Sequence, residues 1–354
     1  MIKLIKILSL LNFGLLLLFF PNVSANEKIK IGLLVPMTGP DKRVGQSIIK
    51  AVSLAVKDID SNSIEIYPKN TASRPNQTLK SAFELKEMGI KVVIGPVFYE
   101  SLSYLDEIKD LTFLSLTNKI LDLPENVISA GINSTSQFNT IKKFLEKNDI
   151  NRTIFLTPIR EYEFEVKKGM EDSKIKIFKE YDYNTEPTKL TKQIEEITKY
   201  KIRKQNLEDE IQRIKESNEF NKEKKIKRLE KRYTIGNLNF DAVVIADFDE
   251  SLLNETNIQP IYYPSINKEN FDNYRIKYFN AFDEDPSHLS LLSYDLLGLV
   301  YYLSLKSDLS NLNKLFKKQN SFKGKIGIFD IKNNKINHRL NFYKIEDKEL
   351  IKIF

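Results

Sequence analysis

The chain has 354 residues, a formal net charge of +7, no cysteine and two histidines. The lack of cysteine excludes disulfides, thiolate metal sites, a thiol nucleophile and a lipid-modified cysteine behind a leader. His288 and His338 stand far apart and in no ligand spacing, and no G-x-S-x-G occurs, so neither a metal centre nor a nucleophilic triad is indicated.

The first 25 residues read as a secretory leader. Lys3 and Lys6 precede an apolar run over 7–20, and Val23-Ser24-Ala25 supplies small residues at a cleavage site. The competing reading is a membrane anchor, but a span needs about 20 apolar residues. This run is shorter and is broken by Asn12. No later segment is apolar enough to span. The expectation is therefore a periplasmic protein with no transmembrane anchor after cleavage, stabilised by core packing alone.

Residues 28–35 (KIKIGLLV) form an apolar run without helical period, the pattern of a buried parallel strand. Pro36 to Pro40 breaks it, and apolar steps of three and four predict a helix over 44–59. A strand over 64–67 and a helix over 76–88 follow, with Gly89 placed to close that helix. Next come a strand over 92–94 ending at Gly95-Pro96, a helix over 101–108, and strands over 112–116 and 127–130. After Gly131 the pattern repeats: helix 135–146, strand 153–156, helix 161–172, strand 176–181. Strands over 240–246 and 258–263, helices over 271–281 and 289–305, and strands over 322–330 and 340–345 complete the chain. A turn is expected at Asn333-Asn334. Alternating units of this length imply an α/β fold with parallel sheets covered by helices. Two such sets imply two lobes, with ligands bound beyond the carboxyl ends of their strands.

One stretch interrupts this scheme. Residues 189–232 contain no glycine or proline. Their apolar residues fall at helical steps: Leu190, Ile194, Ile197; Leu207, Ile211, Ile214; Ile226, Leu229, Tyr233. The narrow stripe predicts a helical hairpin packed on itself, turning near 217–221. Residues 199–232 hold 13 Lys/Arg against seven Asp/Glu, or +6. Without Lys3 and Lys6 the processed chain carries +5, so the rest of it is near neutral. A basic character confined to one insertion does not describe a nucleic-acid binder. The insertion is either a solvated arm or a docking arm for an acidic protein surface or an anionic lipid face.

Several segments resemble, in order, the leucine/isoleucine/valine-binding branch of the type I periplasmic binding proteins. The residues are Pro36, Thr38, Gly39 and Gly45 after the first strand; KVVIGPV (91–97); FDAVVIAD (240–247); Tyr294-Asp295 after Asp285-Pro286; and FKGKIGIFDIKNN (322–334). IGPVF (94–98), with LEKRYTIGNLNFDAVVIAD after a charged helical insertion, is similar to the penicillin-binding-protein activator subgroup of that fold. The resemblance implies two Rossmann-like lobes: 26–131 plus about 265–325, and 132–264 plus about 326–354, with the insertion at 189–233. The short segment between Asp247 and Tyr274 implies a trimmed second lobe.

The resemblance also implies a non-catalytic ligand-binding protein. It would take an amino-acid-like solute between the lobes, with an ABC permease as partner. The alternative is a regulator of peptidoglycan synthesis that contacts a penicillin-binding protein. Closure would hinge near 132–135 and at two later crossings. Gly39 and Gly45 form neither a P-loop nor a dinucleotide fingerprint, so no cofactor is expected.

The candidate ligand-binding residues are Thr38, Tyr99, Ser101, Thr117, Asn118, Arg160, Tyr162 and Asp247. Ser101, Thr117 and Arg160 suit a carboxylate, whereas Asp247, or Asp249 beside it, suits an ammonium. Ser101 is equally read as the cap of a helix beginning there.

Overall fold

The computed structural model describes residues 28–59, 63–159, 163–184, 186–218, 220–235, 242–245, 261–306, 309, 320–332, 335–346 and 349–354. The leader, Asn333-Asn334 and most of the segment between the second set of strands and residue 260 lie outside them.

Strand β1 (Ile29–Val35) is the hub of an eight-stranded sheet. It pairs in parallel with β2 (Ile64–Asn70) on one side and β3 (Val92–Ile94) on the other. β4 (Thr112–Ser115) and β5 (Val127–Ser129) continue the parallel order. β1, β3, β4 and β5 read as largely apolar runs because both faces are covered, whereas β2 lies at the sheet edge and is mostly half-buried. Leu33, Val35, Val92 and Ile94 enter one core with α1 (Lys42–Ile59). Their alternates Leu34 and Val93 enter another with α2 (Pro75–Glu87). Each such side chain contributes about 1.5–3 kcal/mol on full burial.

The second set is smaller. α3 (Ser134–Lys147) leads to β6 (Thr153–Pro158), α4 (Glu163–Ser173) and β7 (Lys179–Tyr183). β6 pairs in parallel with β7 and with β8 (Ala242–Ile245), giving a three-stranded sheet among the described residues. Between β7 and β8 stand α5 (Pro187–Thr198), α6 (Tyr200–Glu216) and α7 (Lys222–Ile235). Leu190 and Ile194 bury α5. Lys199, in the left-handed conformation at φ +47°, breaks the chain between α5 and α6. α6 and α7 then pack on each other as the expected hairpin, with Leu207, Ile211, Ile214, Ile226 and Leu229 only half-buried.

β9 (Ile261–Ser265) and α8 (Lys268–Phe282) bring the chain back to α9 (His288–Ser304). α9 is apolar almost all round and packs on α1. Its start is a capping box between Ser287 and Ser290. β10 (Asn320–Lys323), β11 (Ile328–Lys332) and β12 (Lys335–Arg339) extend the eight-stranded sheet past β5. β13 (Asn341–Glu346) and β14 (Glu349–Lys352) form an antiparallel sheet with β9.

Four expectations change. The helix over 101–108 is two short 3₁₀ turns, Tyr99–Leu102 and Leu105–Glu107. Tyr104 at φ +71° interrupts it, and Ser103 bonds back to Glu100. The strand over 176–181 lies at 179–183. The strand predicted over 322–330 is two antiparallel strands, β10 and β11. β11 and β12 belong to the first sheet and not with 340–354, because β12 runs parallel to β5 and carries the register onward.

The crossing after β5 is bonded on both sides. Asn133 caps α3 through Ser136 and donates its amide to Ile336 O at 2.9 Å. His338 Nε2 donates to Ala130 O at 2.8 Å, and the backbone N–H of His338 donates to Ser136 Oγ. Because Ala130 O can only accept, the proton sits on Nε2, which leaves Nδ1 buried without a partner. Burial holds the ring's pKa below the ordinary histidine value, against the raising effect of the Ala130 bond.

Candidate functional site

β1, β3 and β4 run parallel, so the loops that leave them emerge on one edge of the sheet. Three glycines let those loops close on each other. A Cβ on Gly45 would sit 1.9 Å from Pro36 O, one on Gly95 (φ +104°) 2.2 Å from Leu34 O, and one on Gly131 2.5 Å from Thr117 O. Any larger residue would displace backbone there.

After β1, Asn70 braces the loop. Its carbonyl oxygen accepts from Met37 N and Ala72 N, and its amide donates to Thr38 Oγ1 at 2.9 Å. Thr38 is exposed. After β3, Tyr99 is half-buried and Ser101 is 1 % exposed. The residue before the 3₁₀ turn is Phe98, so Ser101 is no cap, and its Oγ is buried without a partner. The turn is too short to present a helix N-terminus to an anion.

After β4, Thr117 is only 5 % exposed. Its Oγ1 accepts from Lys119 N, its N–H donates to Ser115 Oγ, and its carbonyl accepts from Gly131 N and Ser129 Oγ. Asn118 is exposed. Lys119 places its ammonium 3.8 Å from the centre of the Tyr99 ring. Burial first, then the charges of Asp122, Glu165 and Glu100, hold the Tyr99 phenol above its ordinary pKa.

The polar group that completes this edge comes from the other sheet's helix. Glu165, in the first turn of α4, is 8 % exposed. Its carboxylate accepts from Ile120 N at 2.8 Å and Leu121 N at 3.1 Å. Its backbone carbonyl accepts from Ser134 Oγ at 2.9 Å. Gly169, one turn on, lies close against Ser134, so α4 sits tightly on the start of α3. One carboxylate thus ties the loop after β4 to a helix packed beside the second sheet.

The structure gathers Tyr99, Thr117 and Asn118 with Lys119 and Glu165 along this edge, and Thr38 shares the edge at the end of β1. Ser101 is withdrawn into the core of that loop. Arg160, Tyr162, Asp247 and Asp249 lie outside the described residues. Glu165 and Lys119 were not among the sequence candidates. The arrangement holds the chain's own carboxylate on backbone N–H donors and its own cation on an aromatic face. Among the described residues no group of three or more His, Cys, Asp or Glu is placed to hold a metal ion. None of their helices is long and apolar enough to cross a membrane.

No protein-family model and no curated protein matches the sequence. Solved structures do match the fold. A putative branched-chain amino acid ABC transporter protein from Rhodospirillum rubrum aligns at TM-score 0.68 and 11 % identity, over 92 % of this chain and 100 % of that one. The C-domain of LpoA from Haemophilus influenzae, a regulator of PBP1A, aligns at 0.58 and 14 %, over 92 % and 100 %. The leucine-binding protein LivK from Thermotoga maritima aligns at 0.53 and 13 %, over 92 % and 98 %. The fold is that of the type I periplasmic binding proteins, with a leucine-binding protein, an ABC transporter protein and a regulator of PBP1A among its structural neighbours.

Proposed function

We propose that this chain is an exported, non-catalytic binding protein that acts through protein contacts, as a regulator of peptidoglycan synthesis of the penicillin-binding-protein activator kind. The observation that carries this reading is Glu165. A receptor for a free amino acid must offer N–H and hydroxyl donors to a carboxylate arriving from solution. Here the amides of Ile120 and Leu121, next to the candidates Thr117 and Asn118, already hold a carboxylate from the chain itself. The hydroxyl oxygen of Thr117 is engaged within its own loop, and Ser101 is buried. The resemblance of the β3 loop and of the segment around 240–247 to the activator subgroup supports the same reading, as does the likeness to LpoA.

The second reading is a solute receptor for an amino-acid-like ligand, delivering to an ABC permease. Thr38 and Asn118 favour it, since both are exposed polar residues at strand ends. A thermal-shift screen against amino acids and cell-wall fragments separates the two. A ligand at 100 times its Kd stabilises by about 2.7 kcal/mol. The regulator reading expects no amino acid to move the melt and expects a purified penicillin-binding protein to be retained on the immobilised chain. An amino acid that produces the full shift, with no such retention, establishes the solute receptor instead.

A further inference from the structure

The α6–α7 hairpin has one feature that its own packing does not explain. Phe220, in the turn between the helices, is 90 % exposed, more than any other large apolar residue described. The described residues on either side of it are fixed by backbone and side-chain bonds. Ser217 closes α6 through Arg213 O and bonds back to Ile214 O, and Asn221 takes the left-handed conformation at φ +69°. Lys222 reaches across to Lys215 O at 3.0 Å and ties the two helices together below the tip. Phe220 therefore stands outward at the end of two helices that are tied together just below it.

The surroundings of the tip are basic. Residues 213–228 hold seven Lys/Arg against three Asp/Glu, a net +4 within one aromatic side chain's neighbourhood in sequence. Lys215, Lys224, Lys225, Lys227 and Arg228 are exposed. The apolar stripes of the two helices face each other, and the one large apolar side chain exposed on their described residues, Ile202, lies at the far end of α6, away from the tip. At its tip it offers a single aromatic point with a cationic collar. A point contact is poorly suited to a protein partner, whose stable interfaces bury about 1,200–2,000 Å². A lipid surface accommodates it well. The ring enters the headgroup boundary, and the lysines lie over anionic headgroups with their stems along the interface.

We propose that the hairpin tip docks the protein on an anionic phospholipid surface, with Phe220 as the inserted residue and the flanking lysines supplying charge attraction. The role does not depend on what the strand-end site binds. Vesicle co-sedimentation of the processed chain (residues 26–354) tests it, using phosphatidylglycerol–phosphatidylcholine vesicles and pure phosphatidylcholine vesicles. Binding is expected to the anionic vesicles only, and to fall as salt screens the collar.

Phe220→Ala is expected to weaken partition about tenfold. Lys224→Ala with Lys227→Ala is expected to weaken it roughly fivefold per lysine. Phe83→Ala, which removes a partly exposed ring elsewhere, serves as the control and should leave partition unchanged. Because Phe220 touches almost nothing, its variant should melt like the parent, so lost binding is not lost folding. Equal binding to neutral vesicles, no binding to either, or full binding by Phe220→Ala overturns the proposal. So does capture of an acidic protein by the hairpin while vesicles are ignored.

Discussion

Replacing Glu165 by alanine removes both acceptors from the loop after β4. Ile120 is buried, so its N–H loses its partner without access to water. Leaving such a donor unsatisfied costs about 1–3 kcal/mol. Leu121 is half-buried and recovers part of its loss through water. Both bonds go to one side chain and are lost together. The expected destabilisation is about 2–4 kcal/mol. Glu165→Gln keeps one acceptor and should cost roughly half as much. Urea unfolding should show the midpoint falling with the slope unchanged, because surface burial is the same. Hydrogen exchange should report lost protection at Ile120 and Leu121 in particular. A loss under about 0.5 kcal/mol, within the range of ordinary surface substitutions, with both amides still protected, refutes the reasoning.

Two buried groups predict opposite pH slopes. Asp295 accepts from Lys325 N and Ile326 N, yet burial outweighs those bonds and pushes its pKa from 3.8 up to about 6. A raised folded pKa means the native state binds more protons between these values, so this group's contribution falls as pH rises from about 4 to 6. Against Asp295→Asn, the wild type should gain about 2 kcal/mol of relative stability on going from pH 7 to pH 4 in paired urea titrations; parallel curves would contradict this. His338 has a lowered pKa, so its contribution is complete above the unfolded value and is lost as pH falls through about 6.5. His338→Gln should flatten that acid-side loss in the same titration. Gly131→Ala brings a Cβ against Thr117 O and should lower stability by about 1–3 kcal/mol or more, read by thermal unfolding.

The parallel core was legible because β1, β3, β4 and β5 are buried on both faces and read as continuous apolar runs bounded by Gly and Pro. The hairpin was legible from its helical spacing. Sheet membership near the C-terminus was not. β12 pairs with β5 some 200 residues earlier in the chain, and β13 lies between β9 and β14, so the partners are set by topology and not by local pattern. Pro264 does carry a local trace of this, since it tolerates only an edge position and β9 is an edge strand.

At the site, strand ends marked by Gly95-Pro96 and Gly131 located Tyr99, Thr117 and Asn118. Ser101 misled because a serine after a strand reads as a helix cap, whereas Tyr104 takes a left-handed turn and prevents the helix. Glu165 was invisible for a different reason. A glutamate in a first helical turn normally faces solvent, and its partners lie 44 and 45 residues away.

One carboxylate, that of Glu165, fills a donor pair that a solute receptor would keep open. Thermal unfolding of the wild type and of Glu165→Ala, with and without acetate or glycine and with chloride as the salt control, tests this most directly. The wild type should not respond. The variant, with the Ile120 and Leu121 amides vacated, should recover part of its lost stability from added carboxylate and none from chloride. A wild type stabilised as strongly as the variant, or a variant that no carboxylate restores, would contradict the account.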